Sequence, residues 1–143
     1  MGLDQYLYAI ILPFDMEKNK KLIEFVNEMF DLKDTVDLIY PKCEVGYWRK
    51  NFRINNYFIM DEEDKFEITI GVEKIEKLLT ICKQIQEDFS KIDDLLPLPV
   101  GYPGWYENMD EDENKQEINR TIELLTKILS VKAYITFRYE ISY

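Results

Sequence analysis

The sequence predicts an α+β fold: one domain over residues 1–143, with a small mixed or antiparallel sheet packed by about four helices. Three observations predict it. Apolar runs rich in β-branched and aromatic residues stand at both ends of the chain, at 5–12 and 133–143. Between them, apolar residues recur at three- and four-residue spacing. The length matches a single domain, able to bury roughly 68% of its unfolded surface.

Residues 5–12 (QYLYAIIL) form a continuous apolar run stopped by Pro13, which reads as a central strand. Over 16–32, Leu22, Phe25, Val26, Met29 and Phe30 share a helical stripe opposite Lys18, Lys20, Lys21, Glu24 and Glu28. Residues 35–40 (TVDLIY) form a short extended piece ended by Pro41. Residues 44–60 read as a helix, with Trp48, Phe52, Asn55 and Ile59 on one stripe, widened by Tyr47, Ile54 and Phe58. FEITIGV (66–72) alternates as a strand does. A helix over 73–90 turns Ile75, Leu78, Leu79, Cys82, Ile85 and Phe89 inward. Residues 91–113, which hold Pro97, Pro99, Pro103, Gly101 and Gly104, are the one long irregular stretch. A last helix over 114–130 carries Ile118, Ile122, Leu125, Ile128 and Leu129. In the closing strand, 133–143, Ile135, Phe137, Tyr139, Ile141 and Tyr143 share one face. Both terminal strands are strongly apolar and neither has a hairpin mate, so they are expected to be neighbours.

Charge narrows the function classes. Lys and Arg number 18 against 28 Asp and Glu, a net −10. An acidic surface repels phosphate backbones, which argues against direct nucleic-acid binding. Histidine is absent, which removes Ser–His–Asp and Cys–His catalysis and every histidine metal site. Cys43 and Cys82 are far apart and form no CxxC pair. They read as reduced, buried thiols of a cytosolic protein. The first apolar run lacks a basic flank and a cleavage site, so it reads as a strand and not a signal peptide. No stretch approaches the length of a membrane span. Tyr6 stands where a myristoylation signal needs Ser or Thr. Little points to catalysis: there is no P-loop, GxGxxG or GxSxG.

Three constellations remain. In the first, Tyr47, Trp48, Arg49 and Lys50 precede Arg53, Asn55 and Asn56. Arginine offers a planar fork for phosphate, and Trp and Tyr can stack on a base. The competing reading makes Trp48 and Phe52 core and pairs the cations with the abundant carboxylates. The second is acidic: Glu107, Asp110, Glu111, Asp112, Glu113 and Glu117, with Asp61, Glu62, Glu63 and Asp64 as a separate turn. Asp110, Asp112 and Asn114 match the first spacings of a calcium loop, but Lys115 replaces its glycine and Thr121 its bidentate glutamate. The acids therefore read as a solvated loop and helix start, or as a patch for a partner. The third is Gly101-Tyr102-Pro103-Gly104-Trp105-Tyr106, either a binding loop or a cap folded onto the core.

Residues 1–8 (MGLDQYLY) and 44–58 (EVGYWRKNFRINNYF) resemble a family of small proteins encoded by bacteriophages and prophages. Its members open Met-Gly-Leu-Asp-x-Tyr-Leu and carry a central Tyr-Trp-Arg-Lys helix. The resemblance runs on through Leu78–Cys82, Leu96-Pro97, Gly101-Tyr102, Tyr106-Glu107 and the Tyr-rich final strand, with a gap over 15–40. Asn55 stands where the family often has His, so no proton-transfer or metal role carries over to it. The turn after Leu96-Pro97 is shortened. The resemblance implies a phage or mobile-element accessory protein in the cytoplasm of a bacterial host. The Lys-, Asn- and Ile-rich usage fits an AT-rich genome.

Two functions follow as expectations. The first is a non-enzymatic acidic inhibitor of a host nucleic-acid-handling defence protein, in an anti-CRISPR or similar role. It would bind a basic surface through Asp61–Asp64, Glu107 and Asp110–Glu113. The alternative is a protein that binds a nucleotide signal in a basic-aromatic pocket of Tyr47, Trp48, Arg49, Lys50, Arg53, Asn56, Trp105 and Tyr106. An enzyme ranks last. Neither a cofactor nor a membrane is expected, and a homodimer is left open.

Overall fold

The computed structural model describes residues 3–11, 28, 42–60, 66–100, 109–130 and 135–142. Strands β1 (Asp4–Ile11), β2 (Lys42–Arg49), β3 (Glu67–Ile70) and β4 (Ile135–Ser142) form one sheet. Its order is β2-β1-β4-β3 and every pairing is antiparallel. The helices described from end to end are α1 (Phe52–Ile59), α2 (Val72–Glu87), α3 (Ile92–Leu95) and α4 (Glu111–Ser130), with a 3-10 turn at Phe89–Lys91. The fold is α+β, and the expected pairing of the first and last strands is present along the whole of β1.

Strand alternation builds the core. Leu3, Leu7 and Ala9, then Phe137, Tyr139 and Ile141, are buried on one sheet face. Onto it α2 lays Ile75, Leu78, Cys82 and Ile85, and α4 lays Ile118, Leu125 and Ile128. Phe58 of α1 stacks on Tyr139 at 4.4 Å between ring centres, and Trp48 tilts against Phe58 at 6.1 Å. The helices α2 and α4 run antiparallel, since Gln86 bonds Asn119 while Phe89 meets Lys115.

The reading of 44–60 as a helix is corrected. Residues 42–49 are strand β2, and the helix starts at Phe52. A β-bulge opposite Leu7 and Tyr8 hides the strand's alternation. It turns both Val45 and Gly46 inward, while Trp48 remains inward beyond them. The Tyr47-Trp48-Arg49-Lys50 segment therefore ends a strand and makes a corner; it is not a helix. Lys50 sits at φ 53, the left-handed region, which costs a non-glycine residue about 1–2 kcal/mol. Its amide donates to Leu3 O at 2.7 Å, and Asn51 Oδ1 caps the new helix by accepting from Ile54 N at 3.1 Å.

The expected long irregular stretch is also shorter than 91–113. Asp88 caps the 3-10 turn through Ser90, and α3 follows, with Ile92 and Leu96 buried. At the other end α4 begins at Glu111, where Asp110 Oδ1 accepts from Glu113 N at 2.8 Å. Acidic residues in that first turn favour the helix dipole. Of the helix expected over 16–32 only Glu28 is described, and it is helical and exposed. The extended piece at 35–40 lies outside the described residues.

Gly46 allows α4 to close on the sheet. A Cβ there would lie 3.0 Å from Leu124 Cδ2 and 3.2 Å from Leu7 Cβ. Gly46→Ala is expected to lower the unfolding free energy by about 1–2 kcal/mol in denaturant melts. Gly71→Ala is expected to change it by less than about 0.5 kcal/mol, because it meets only the movable Glu73 carboxylate. Equal effects at the two sites would contradict this packing.

Candidate functional site

Among the described residues, Tyr47, Trp48, Arg49, Lys50, Arg53 and Asn56 do not converge on one pocket. Strand alternation sends Trp48 to the core and Tyr47 and Arg49 to the opposite sheet face. Trp48 is 0% exposed, and its indole N–H donates to Thr121 Oγ1 of α4 at 2.9 Å. Tyr47 donates its hydroxyl to Asp4 at 2.6 Å and packs against Tyr6 at 5.3 Å between ring centres. Accepting that bond, Asp4 holds the Tyr47 hydroxyl pKa above its ordinary value. Arg49 is 66% exposed and lies 3.9 Å from Asp4, a weak pair.

Arg53 has turned inward. Its side chain is 8% exposed, and its guanidinium bonds Leu96 O at 2.8 Å and Asp93 Oδ1 at 2.9 Å. Asn56 donates to Pro97 O at 3.0 Å, so one helical turn of α1 grips the chain as it leaves α3. Lys50 and Arg53 do share a cleft with Asn51, Phe52, Leu98, Met109 and Asn114. Its volume is about 10 Å³, the size of one water.

Gln5 was not anticipated as a key residue. It lies on central strand β1 and is fully buried. Its Nε2 donates to Asn51 O at 3.0 Å and to Tyr139 Oη at 2.8 Å, and its Oε1 accepts from Asn51 N at 2.9 Å. Tyr139 in turn donates to Asn55 Oδ1 at 2.7 Å. Asn55 thus serves as an acceptor in a structural network. The only sequence signal for Gln5 was a lone amide in the inward register of an apolar strand.

The acidic residues are gathered where sequence placed only part of them. The antiparallel packing of α2 and α4 brings the end of α2 and α3 beside the start of α4. Glu87, Asp88, Asp93 and Asp94 on one segment and Asp110, Glu111, Asp112 and Glu113 on the other are all exposed, and the Gln86–Asn119 and Phe89–Lys115 contacts set the two segments at the same end of the α2–α4 pair. Arg53 holds Asp93 and lines the same cleft as Met109 and Asn114, which places Asp93 near the start of α4. Bonds from Ser90 lower the Asp88 carboxyl pKa. Asp61, Glu62, Glu63, Asp64, Trp105, Tyr106 and Glu107 lie outside the described residues.

Chemically, this end offers charge and hydrogen-bond acceptors. Among the described residues no cluster of Cys, Asp and Glu is placed to hold a metal ion. Asp110, first of the calcium-like spacing, is committed to capping α4. Burial pushes the Cys82 thiol up to about 12, so it stays protonated and unreactive. Burial also raises Tyr57 and Tyr8 to about 12, with Glu140 and Glu44 adding to the effect on Tyr8. Among the described residues no helix is long and apolar enough to cross a membrane.

Fold and site together define a small α+β protein with an acidic helical end and its arginine-tryptophan segment largely folded into the scaffold. Comparison with protein-family models, with curated proteins and with solved structures gives no match.

The inward arginine is expected to matter for stability and the outward one is not. Arg53→Ala should cost about 2–4 kcal/mol in chemical denaturation, since Leu96 O loses its donor and the packed stem is removed. Arg49→Ala should cost less than about 0.5 kcal/mol. Comparable losses at both positions would contradict the placement.

Proposed function

We propose that this chain is a phage or mobile-element accessory protein acting as a non-enzymatic acidic inhibitor. Its partner is a host defence protein that handles nucleic acid through a basic surface, in an anti-CRISPR or similar role. The reading is supported chiefly by one observation: two acid-rich, exposed segments stand at the same end of the α2–α4 pair. The negative charge there, interrupted by Lys91 and Lys115, attracts a basic channel over a Debye length. The net charge of −10 extends the attraction over the chain. The cytoplasm of the infected cell is where such a partner would be met.

A nucleotide-binding reading draws on the Tyr47–Asn56 segment and finds less support. Trp48 is buried and the cleft beside Lys50 and Arg53 is about 10 Å³, whereas ligand pockets run to about 300 Å³ or more.

The test is capture from phage-infected host lysate with the tagged full chain. Asp93 and Asp110 are kept for their structural bonds. Asp94, Glu111, Asp112 and Glu113 are changed to Lys, together with Asp61–Asp64. The wild-type chain should retain a basic host protein that elutes as salt rises from about 0.1 to about 0.5 M. The variant, folded by circular dichroism, should lose affinity on the order of a hundredfold. Undiminished capture by the variant would overturn the mechanism.

A further inference from the structure

Between α2 and α4 lies a groove of about 190 Å³ lined by Ile85, Gln86, Phe89, Lys115, Ile118 and Asn119. It opens beside the acidic end, with Glu87 and Asp88 in the same segment as Phe89, and Glu111 one turn before Lys115. Its volume suits one long side chain and falls short of the roughly 300 Å³ of a small-molecule pocket. Its chemistry is layered. The floor is Ile85 and Ile118, the wall is the ring of Phe89, and the amides of Gln86 and Asn119 bond each other at 2.9 Å across it. That bond uses the Gln86 nitrogen and the Asn119 oxygen, leaving the Gln86 oxygen to accept.

The chain already places a cation there. Lys115 Nζ lies 5.2 Å from the centre of the Phe89 ring and 2.9 Å from Glu111 Oε1. An aromatic face on one side and a carboxylate on the other are the two elements that hold a cationic head group. Lys115 is itself 48% exposed, so it can swing into water at little cost.

We infer that the groove between α2 and α4 is a docking site for a single arginine side chain of a basic protein partner, which displaces Lys115. The arginine stem lies between the Phe89 ring and the Gln86–Asn119 pair, above the already buried Ile85 and Ile118. Its planar head stacks on Phe89, bonds the Gln86 oxygen and pairs with Glu111. The surrounding carboxylates steer the partner; the groove decides which cation it accepts. Arginine is favoured over lysine because its flat, weakly hydrated head matches the ring face.

This inference rests on the acidic-inhibitor reading for its biological meaning, and the two can fail separately. The experiment titrates the isotope-labelled full chain with a tetra-arginine peptide amide and its tetra-lysine counterpart, followed by amide NMR. The arginine peptide should bind about threefold more tightly than the lysine peptide. Its largest shifts should fall on Gln86, Phe89, Lys115 and Asn119. Lys115→Gln, on the exposed rim, should tighten both peptides by removing the resident cation. Phe89→Leu should erase the arginine preference and leave charge-driven binding in place. Equal binding of the two peptides by the wild-type chain, or shifts spread evenly over 87–94 and 110–113, would overturn the docking site and leave the inhibitor reading standing. So would an arginine preference that survives in folded Phe89→Leu. A groove that passes, in a protein whose charge-reversed variant still captures its host partner, would instead remove the inhibitor mechanism and keep the groove.

Discussion

The buried amide of Gln5 holds the rest of the structure in register. It sits in β1, which pairs with β2 on one side and β4 on the other. From there it bonds both backbone groups of Asn51, at the corner where β2 becomes α1, and the hydroxyl of Tyr139 on β4. A buried amide without partners costs several kcal/mol, so its geometry allows little slippage. The left-handed Lys50 and the Asn51 cap depend on that corner, and through them so does the direction in which α1 leaves the sheet.

That direction determines what the basic-aromatic segment can do. With α1 aimed back across the sheet, Arg53 reaches Leu96 and Asp93, Asn56 reaches Pro97, and Phe58 stacks on Tyr139. Trp48 is drawn in to bond Thr121 on α4. Cations in an acidic chain invite a ligand-binding interpretation. Here Arg53 secures α3, and its carboxylate partner Asp93 belongs to the acidic end. Inward positive charge and outward negative charge are two parts of the same arrangement.

Much of this was legible where local pattern and tertiary demand agree. The alternation in β4 and the stripes of α2 and α4 mark the faces that are buried, and the apolar run in β1 marks a strand paired on both sides. Residues 44–60 misled because a bulge at Val45 and Gly46 broke the strand period, while Trp48, Phe52, Asn55 and Ile59 mimicked a helical one. Left-handed lysine carries no signal in a single sequence, since glycine or asparagine is the usual marker. The acidic end was half legible. Asp110–Glu113 is contiguous, whereas its union with Glu87, Asp88, Asp93 and Asp94 needs the antiparallel packing of α2 and α4. The lone amide of Gln5 says nothing of its role by itself, because its partners are supplied by residues about fifty and more than a hundred positions away.

The most direct test of this account is a double-mutant cycle between Gln5 and Tyr139, using Gln5→Leu, Tyr139→Phe and the pair, read by equilibrium unfolding. If the amide network fixes the strand-to-helix corner, the two changes couple by about 1–3 kcal/mol. Additive losses would contradict this account: the Gln5 amide and the Tyr139 hydroxyl would then not act as one network, and β4 would be tied to the corner by the strand ladder and packing instead.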